Sequence, residues 1–138
     1  MKYLLLLLVG CAGMSEGTYK KKFHVEDFVT NLEPSIVHSM LLEKMTKCYP
    51  QSDYPTYEKT VGAFDAVKQT GTVAYEKDIQ SLGPKPLVLV EVFQGFTTGS
   101  IVKVYSKGDL FVPATIYQHQ IQKWLVGKKV DCHSHGEI

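Results

Sequence analysis

The chain is expected to fold as an α+β domain: an antiparallel sheet of about four strands in a meander, packed by an N-terminal and a C-terminal helix. Three observations predict this. Turn residues divide positions 56–105 into four apolar or alternating stretches of strand length. Apolar residues recur at helical spacing before that block and again after it. Hydrophobic residues make up 44% of the 138, with eight tyrosines, which supplies a core for one domain and not for two.

The first helix opens at Pro34-Ser35. Proline suits a first helical turn, where its missing N–H has no partner to lose. Ile36, Val37, Met40, Leu41, Leu42 and Met45 recur at helical spacing, with Ser39, Glu43, Lys44 and Lys47 between them. Lys44 and Lys47 complement the negative end of the helix dipole, and Tyr49-Pro50 stops the element. Cys48 therefore sits at the C-terminal end, placed to pin another segment. His38 on this helix is either a ligand or, as a lone helical histidine usually is, a surface or satisfied core residue.

Gln51-Ser52-Asp53-Tyr54-Pro55 is a loop by its turn residues. Thr56 to Val67 alternates imperfectly, with Tyr57, Val61, Ala63 and Phe64 apolar. Gln69-Thr70-Gly71 reads as a turn into Thr72–Glu76, and Gly83-Pro84-Lys85-Pro86 as another break. Leu87–Phe93 is the strongest strand, nearly continuous in β-branched and apolar residues. Thr97-Thr98-Gly99 turns into Ser100–Tyr105. Strands separated by short turns pair most simply with their sequence neighbours.

The second helix follows Pro113. Tyr117, Ile121, Trp124, Leu125 and Lys128 form one stripe, with Gly127 as a C-cap. Trp124, the sole tryptophan, is expected to anchor the core.

Charge narrows the classes of partner. Fifteen cations, all lysine, face fourteen carboxylates, so no domain-wide field gathers nucleic acid. The absent arginine also removes the planar fork preferred for phosphate and base recognition. No nucleic-acid partner and no cofactor are expected. There is no Gly-rich phosphate loop, Cys-x-x-Cys or His-Glu-x-x-His.

The N-terminus carries the most specific signal. Lys2 precedes an unbroken apolar run, Leu4 to Val9, that ends at Gly10-Cys11. The run is too short for a permanent membrane helix, which needs about 20 residues. A positive start, apolar middle and small-residue end are the layout of a signal peptide, residues 1–10. Leu8-Val9-Gly10-Cys11 resembles a bacterial lipobox, which implies lipidation at Cys11. The alternative is an ordinary cysteine in a signal cut downstream, after Gly13 or Gly17. Residues 11–30 then read as a flexible lipidated tether, and 31–138 as the domain. The triplet Lys20-Lys21-Lys22 within the tether touches anionic head groups or is a solvated run.

Three cysteines are odd in number for an exported chain. If Cys11 carries lipid, Cys48 and Cys132 remain as a pair in an oxidising compartment; otherwise they are two buried thiols. Cys132-His133-Ser134-His135 offers two imidazoles to one ion, with Asp131 or Glu137 as a further donor. A disulfide sulfur is no ligand, however, and chain ends lose order, so no metal is expected and His133 and His135 are weak candidates. Glu91, in the strongest strand, either faces the core with a raised pKa or faces solvent opposite Val90 and Val92, the simpler reading. It has no catalytic second member at an interpretable spacing. Gln118-His119-Gln120 reads as a polar helix face. No enzyme is expected.

The signal and lipobox, the helix end Lys47-Cys48-Tyr49-Pro50, the strand Ile101–Tyr105 and the helix end Lys123–Gly127 followed by Cys132 resemble the small, uncharacterised envelope lipoproteins of Gram-negative bacteria. The resemblance implies a lipid-anchored domain at the periplasmic face of the outer membrane, where Ala12 rather than aspartate follows the lipid cysteine. It implies contact with an envelope protein rather than catalysis. The alternative is a periplasmic inhibitor of a wall-degrading enzyme or a phage-exclusion factor, with Gln51–Pro55 as the inserting loop.

Overall fold

Five strands, not four, make the sheet. The computed structural model describes residues 16–53, 56–78, 83–107, 114–127 and 132. In chain order the elements are α1 (Glu16–Phe23), β1 (His24–Thr30), α2 (Pro34–Cys48), β2 (Glu58–Asp65), β3 (Thr70–Lys77), β4 (Lys85–Gln94), β5 (Ser100–Ser106) and α3 (Ala114–Leu125). The strands lie in the order β1-β5-β4-β3-β2, every neighbouring pair antiparallel. The expected meander is thus β2 to β5. The added strand comes from residues read as tether, which are helix and strand from Glu16 onward.

β1 was hidden by its charges. Glu26-Asp27 interrupts the apolar pattern, yet the register puts Asp27 opposite Lys103 and Phe28 opposite Val102. Alternation therefore survives, with Phe28 packed against the core and Asp27 on the opposite face. Charge on an outermost strand also discourages edge-to-edge pairing with another molecule.

Gly71 is a strand residue, not part of the turn that sequence suggested. It pairs with Phe64 and Val92, and the turn lies at Ala66–Gln69, where Gln69 takes φ 55°. The glycine is needed for close approach: a Cβ there would sit 2.7 Å from both His38 Cδ2 and Phe64 Cδ2. Only a bare backbone lets α2 settle on the sheet at this point.

α2 ends as expected, its last N–H bond running from Tyr49 to the Met45 carbonyl at 3.0 Å. It lies across β2, β3 and β4, while α3 covers β5 and β1. Val37, Leu41 and Met45 of α2 and Tyr117, Ile121, Trp124 and Leu125 of α3 meet Val73, Val88, Val90, Val92, Val102 and Val104 from the three central strands. Each fully buried valine contributes roughly 1.5–3 kcal/mol. The other face carries a small cluster, Ala74, Leu89 and Tyr105, with Phe23 of α1 laid upon it.

Gly127 has φ 78° and its N–H bonds the Trp124 carbonyl at 3.1 Å, the C-cap read from sequence. Cys48 and Cys132, 84 positions apart in sequence, are joined in a disulfide with Cα atoms 5.0 Å apart.

Candidate functional site

The face of the sheet that α2 and α3 leave uncovered holds the molecule's polar chemistry. Residues alternate along each strand, so Thr72, Glu91, Lys103 and Asp27 form one row across β3, β4, β5 and β1. A neighbouring row, Ala74, Leu89 and Tyr105, is apolar but for its phenol. The short helix α1 lies over these rows. Eight residues do not hold a helix alone in water, so α1 depends on what it touches. Phe23 packs on the apolar row, and Lys20 Nζ bonds Glu91 Oε2 at 2.8 Å.

Glu91 lies on the face opposite Val90 and Val92, as alternation predicts, but its side chain is only 13% exposed because Lys20 covers it. The Tyr105 hydroxyl donates to the same carboxylate. Burial first, then that hydrogen bond and the Glu91 charge, push the Tyr105 phenol up to about 12, against the opposing pull of Lys20. At neutral pH the phenol is therefore a fixed donor to that carboxylate. The Lys20–Glu91 pair ties α1 to the sheet.

The folded chain binds the Tyr105 proton more tightly than the unfolded chain, whose tyrosines titrate near 10. Its stabilising share is complete below pH 10 and drains away as pH rises from 10 towards 12. Tyr49, buried beneath α3 and raised well above the usual value by desolvation, adds in the same direction. Urea unfolding midpoints should hold between pH 8 and 9.5 and fall steeply by pH 11, with a shallower fall in Tyr105→Phe. An unchanged slope in that variant removes Tyr105 from the account.

Beside α1 on the same face is a shallow hollow of about 380 Å³, lined by Ala63, Asp65, Thr70, Thr72, Glu91 and Phe93. Of its two carboxylates, Glu91 bonds Lys20 and Tyr105, and Asp65 accepts from the N–H groups of Val67 and Lys68.

Other candidates from sequence are dispersed. His38 is a satisfied core residue: its Nε2–H donates to the Thr72 carbonyl at 3.0 Å, and its ring lies 5.2 Å from that of Phe64. His119 is exposed on α3, across the sheet from Glu91. These two therefore share no pocket. Among the described residues no three metal-ligating side chains converge. His133 and His135 lie outside the described residues, as does Cys11.

The loop at 51–55 is described up to Asp53, and there it is braced. Gln51 Nε2–H donates to the Tyr49 carbonyl at 3.0 Å, and Gln51 Oε1 accepts from the Thr60 N–H at 2.9 Å. Ser52 and Glu58 exchange two backbone bonds of 2.8 Å. Lys59 Nζ reaches Asp53 Oδ1 at 2.5 Å.

Sequence reasoning missed Lys20 and Tyr105. The signal was present, since a glutamate in an apolar strand demands partners. Finding them required knowing that α1 folds back over β4. Comparison with protein-family models, with characterised proteins and with solved structures finds no match to this chain.

Proposed function

We propose that the chain is a bacterial envelope lipoprotein: Cys11 carries the lipid, and an α+β domain held at the periplasmic face of the outer membrane acts by contact with another envelope protein rather than by catalysis. The observation that carries this reading is the pairing of cysteines. Cys48 and Cys132 take each other, so the odd sulfur is the one at the end of the apolar N-terminal run. A disulfide belongs to an oxidising compartment, and a leftover cysteine there needs its own chemistry. Thioether-linked acyl chains supply it. Each buried methylene contributes about 0.8 kcal/mol, so two or three chains make release negligible.

The test is metabolic labelling with palmitate. Label is expected on the wild-type chain and none on Cys11→Ser, which accumulates unprocessed or soluble. Label retained in the variant refutes the reading.

One observation favours a second reading, a periplasmic inhibitor of a wall-degrading enzyme or a phage-exclusion factor. Gln51–Asp53 is braced by Thr60 and Lys59, and pre-organisation of this kind lowers the entropic cost of entering a cleft. Capture of a wall hydrolase or phage protein by wild type and not by Gln51→Ala would favour it. Equal capture by both removes the loop from the interface.

A further inference from the structure

We infer that one end of the sheet, a rim of exposed apolar chain reversals, faces the bilayer and dips into it. The inference rests on the lipid anchor at Cys11 proposed above.

The strand registers define that end. The β2–β3 turn at 66–69, the β4–β5 turn at 95–99 and the β1–α2 connection at 31–33 all emerge there, because Asp65 pairs with Thr70, Gln94 with Ser100, and Ser100 with Thr30. Neighbouring strands are about 4.8 Å apart, so the three reversals follow one another along the sheet edge within about 20 Å. Each presents a large apolar side chain to solvent. Phe96 is 98% exposed and Val67 is 94% exposed, with Leu32 on the third reversal. Val29 beside it is 81% exposed, and Ile36 in the first turn of α2 is also exposed. Five of the seven large exposed apolar residues among those described thus gather at one end. Scattered singly over a surface they would need no explanation; gathered, they do.

The rim is built to hold this shape. Gly99, at φ 76°, has the Thr30 carbonyl where a Cβ would go, which seats the hairpin against the β1–α2 connection. Ser100 Oγ–H donates to the Leu32 carbonyl at 2.7 Å, and Gly95 N–H to the Gly99 carbonyl at 2.9 Å. Asp65 Oδ1 accepts from the N–H groups of Val67 and Lys68 at 3.0 and 3.1 Å. From Gln94 to Ser100 there is no charged residue, so bringing Phe96 to a lipid interface desolvates no ion.

The path of the chain points to lipid as the occupant. Phe23 packs on the row of Ala74, Leu89 and Tyr105, and Lys20 bonds Glu91, two residues further along β4 from Leu89 towards the rim. Traced from Phe23 back to Glu16, α1 therefore climbs towards this end. Cys11 is five residues before Glu16, a reach of about 17 Å at full extension. An anchor on so short a lead holds this end of the domain at the membrane. The uncharged tip Gln94–Ser100, with its almost fully exposed phenylalanine, then lies within reach of the interfacial layer, where apolar side chains enter about 5–10 Å.

The experiment uses the native lipidated protein in vesicles of phosphatidylethanolamine and phosphatidylglycerol containing brominated phosphatidylcholine, which quenches indoles that enter the bilayer. Phe96→Trp places an indole at the rim. Lys85→Trp places one on an exposed position at the far end, where Lys85 opens β4 and pairs with Lys77. Trp124 is buried and is a constant background in both. Emission of the new indole is expected to fall about twofold in Phe96→Trp and to stay unchanged in Lys85→Trp, given an insertion of several ångströms. The N-terminal peptide of each preparation is weighed alongside. Lipidated Cys11 with an unquenched indole at the rim, or equal quenching at both ends, overturns the proposal while leaving the anchor intact. Unlipidated Cys11 overturns the anchor and this proposal with it.

Discussion

Breaking the disulfide, by reduction or by Cys132→Ala, is expected to cost the domain about 4–5 kcal/mol. The bond closes a loop of 84 residues, and the chain-entropy model assigns a loop of that length about 4.5 kcal/mol of constraint on the unfolded state. Domains of this size keep roughly 5–15 kcal/mol in all, so the reduced chain sits near the edge of folding. With a urea dependence of about 1–3 kcal/mol per molar, the unfolding midpoint should fall by about 1.5–4.5 M. Urea titrations with and without a phosphine reductant measure it. A midpoint that moves by less than half a molar would show that the packing of α2 and α3 carries the fold without the bond.

Trp124→Ala should follow closely, at about 3–5 kcal/mol. Trp124 is 2% exposed and joins Tyr49, Tyr75 and Tyr117 in one aromatic cluster, with its ring 6.2 Å from that of Tyr49. Tyr49 in turn lies 5.0 Å from Tyr75 and 5.3 Å from Tyr117, the latter edge to face. This cluster is where the end of α2, the body of α3 and strand β3 meet, so a void here is not closed by shifting one side chain. Trp124→Phe keeps most of the volume and also removes a buried indole N–H that has no hydrogen-bond partner among the described residues. It is expected to lose less than half as much. Denaturant midpoints of the two variants decide this, and equal losses would contradict the cavity argument.

Much of the fold was legible because its helices are bounded by residues with one purpose each. Pro34 starts α2, Tyr49-Pro50 stops it, and Gly127 caps α3. The central strands declared themselves through unbroken β-branched runs, and Glu91 fell on the face that alternation assigns it. What escaped was long-range. β1 owes its place to pairing with Val102 and Lys103, residues more than seventy positions away, and its own acidic pair conceals the alternation. α1 owes its existence to Glu91 and the apolar row beneath Phe23, neither visible from a lysine-rich octet. Gly71 reads as a turn residue until the approach of His38 shows why a side chain is excluded. Of the candidate site, the cysteine pair followed from counting, while the Lys20–Glu91–Tyr105 group required the fold.

One pair of sulfurs closes the domain, and the proposal gives the third, on Cys11, the task of fastening it. The intact mass of the protein taken from membranes tests both at once. The account predicts a chain beginning at Cys11, heavier by a diacylglyceryl group or more, and lighter by two hydrogens for the Cys48–Cys132 bond. A bare N-terminus beyond residue 11, or three free thiols, would contradict it.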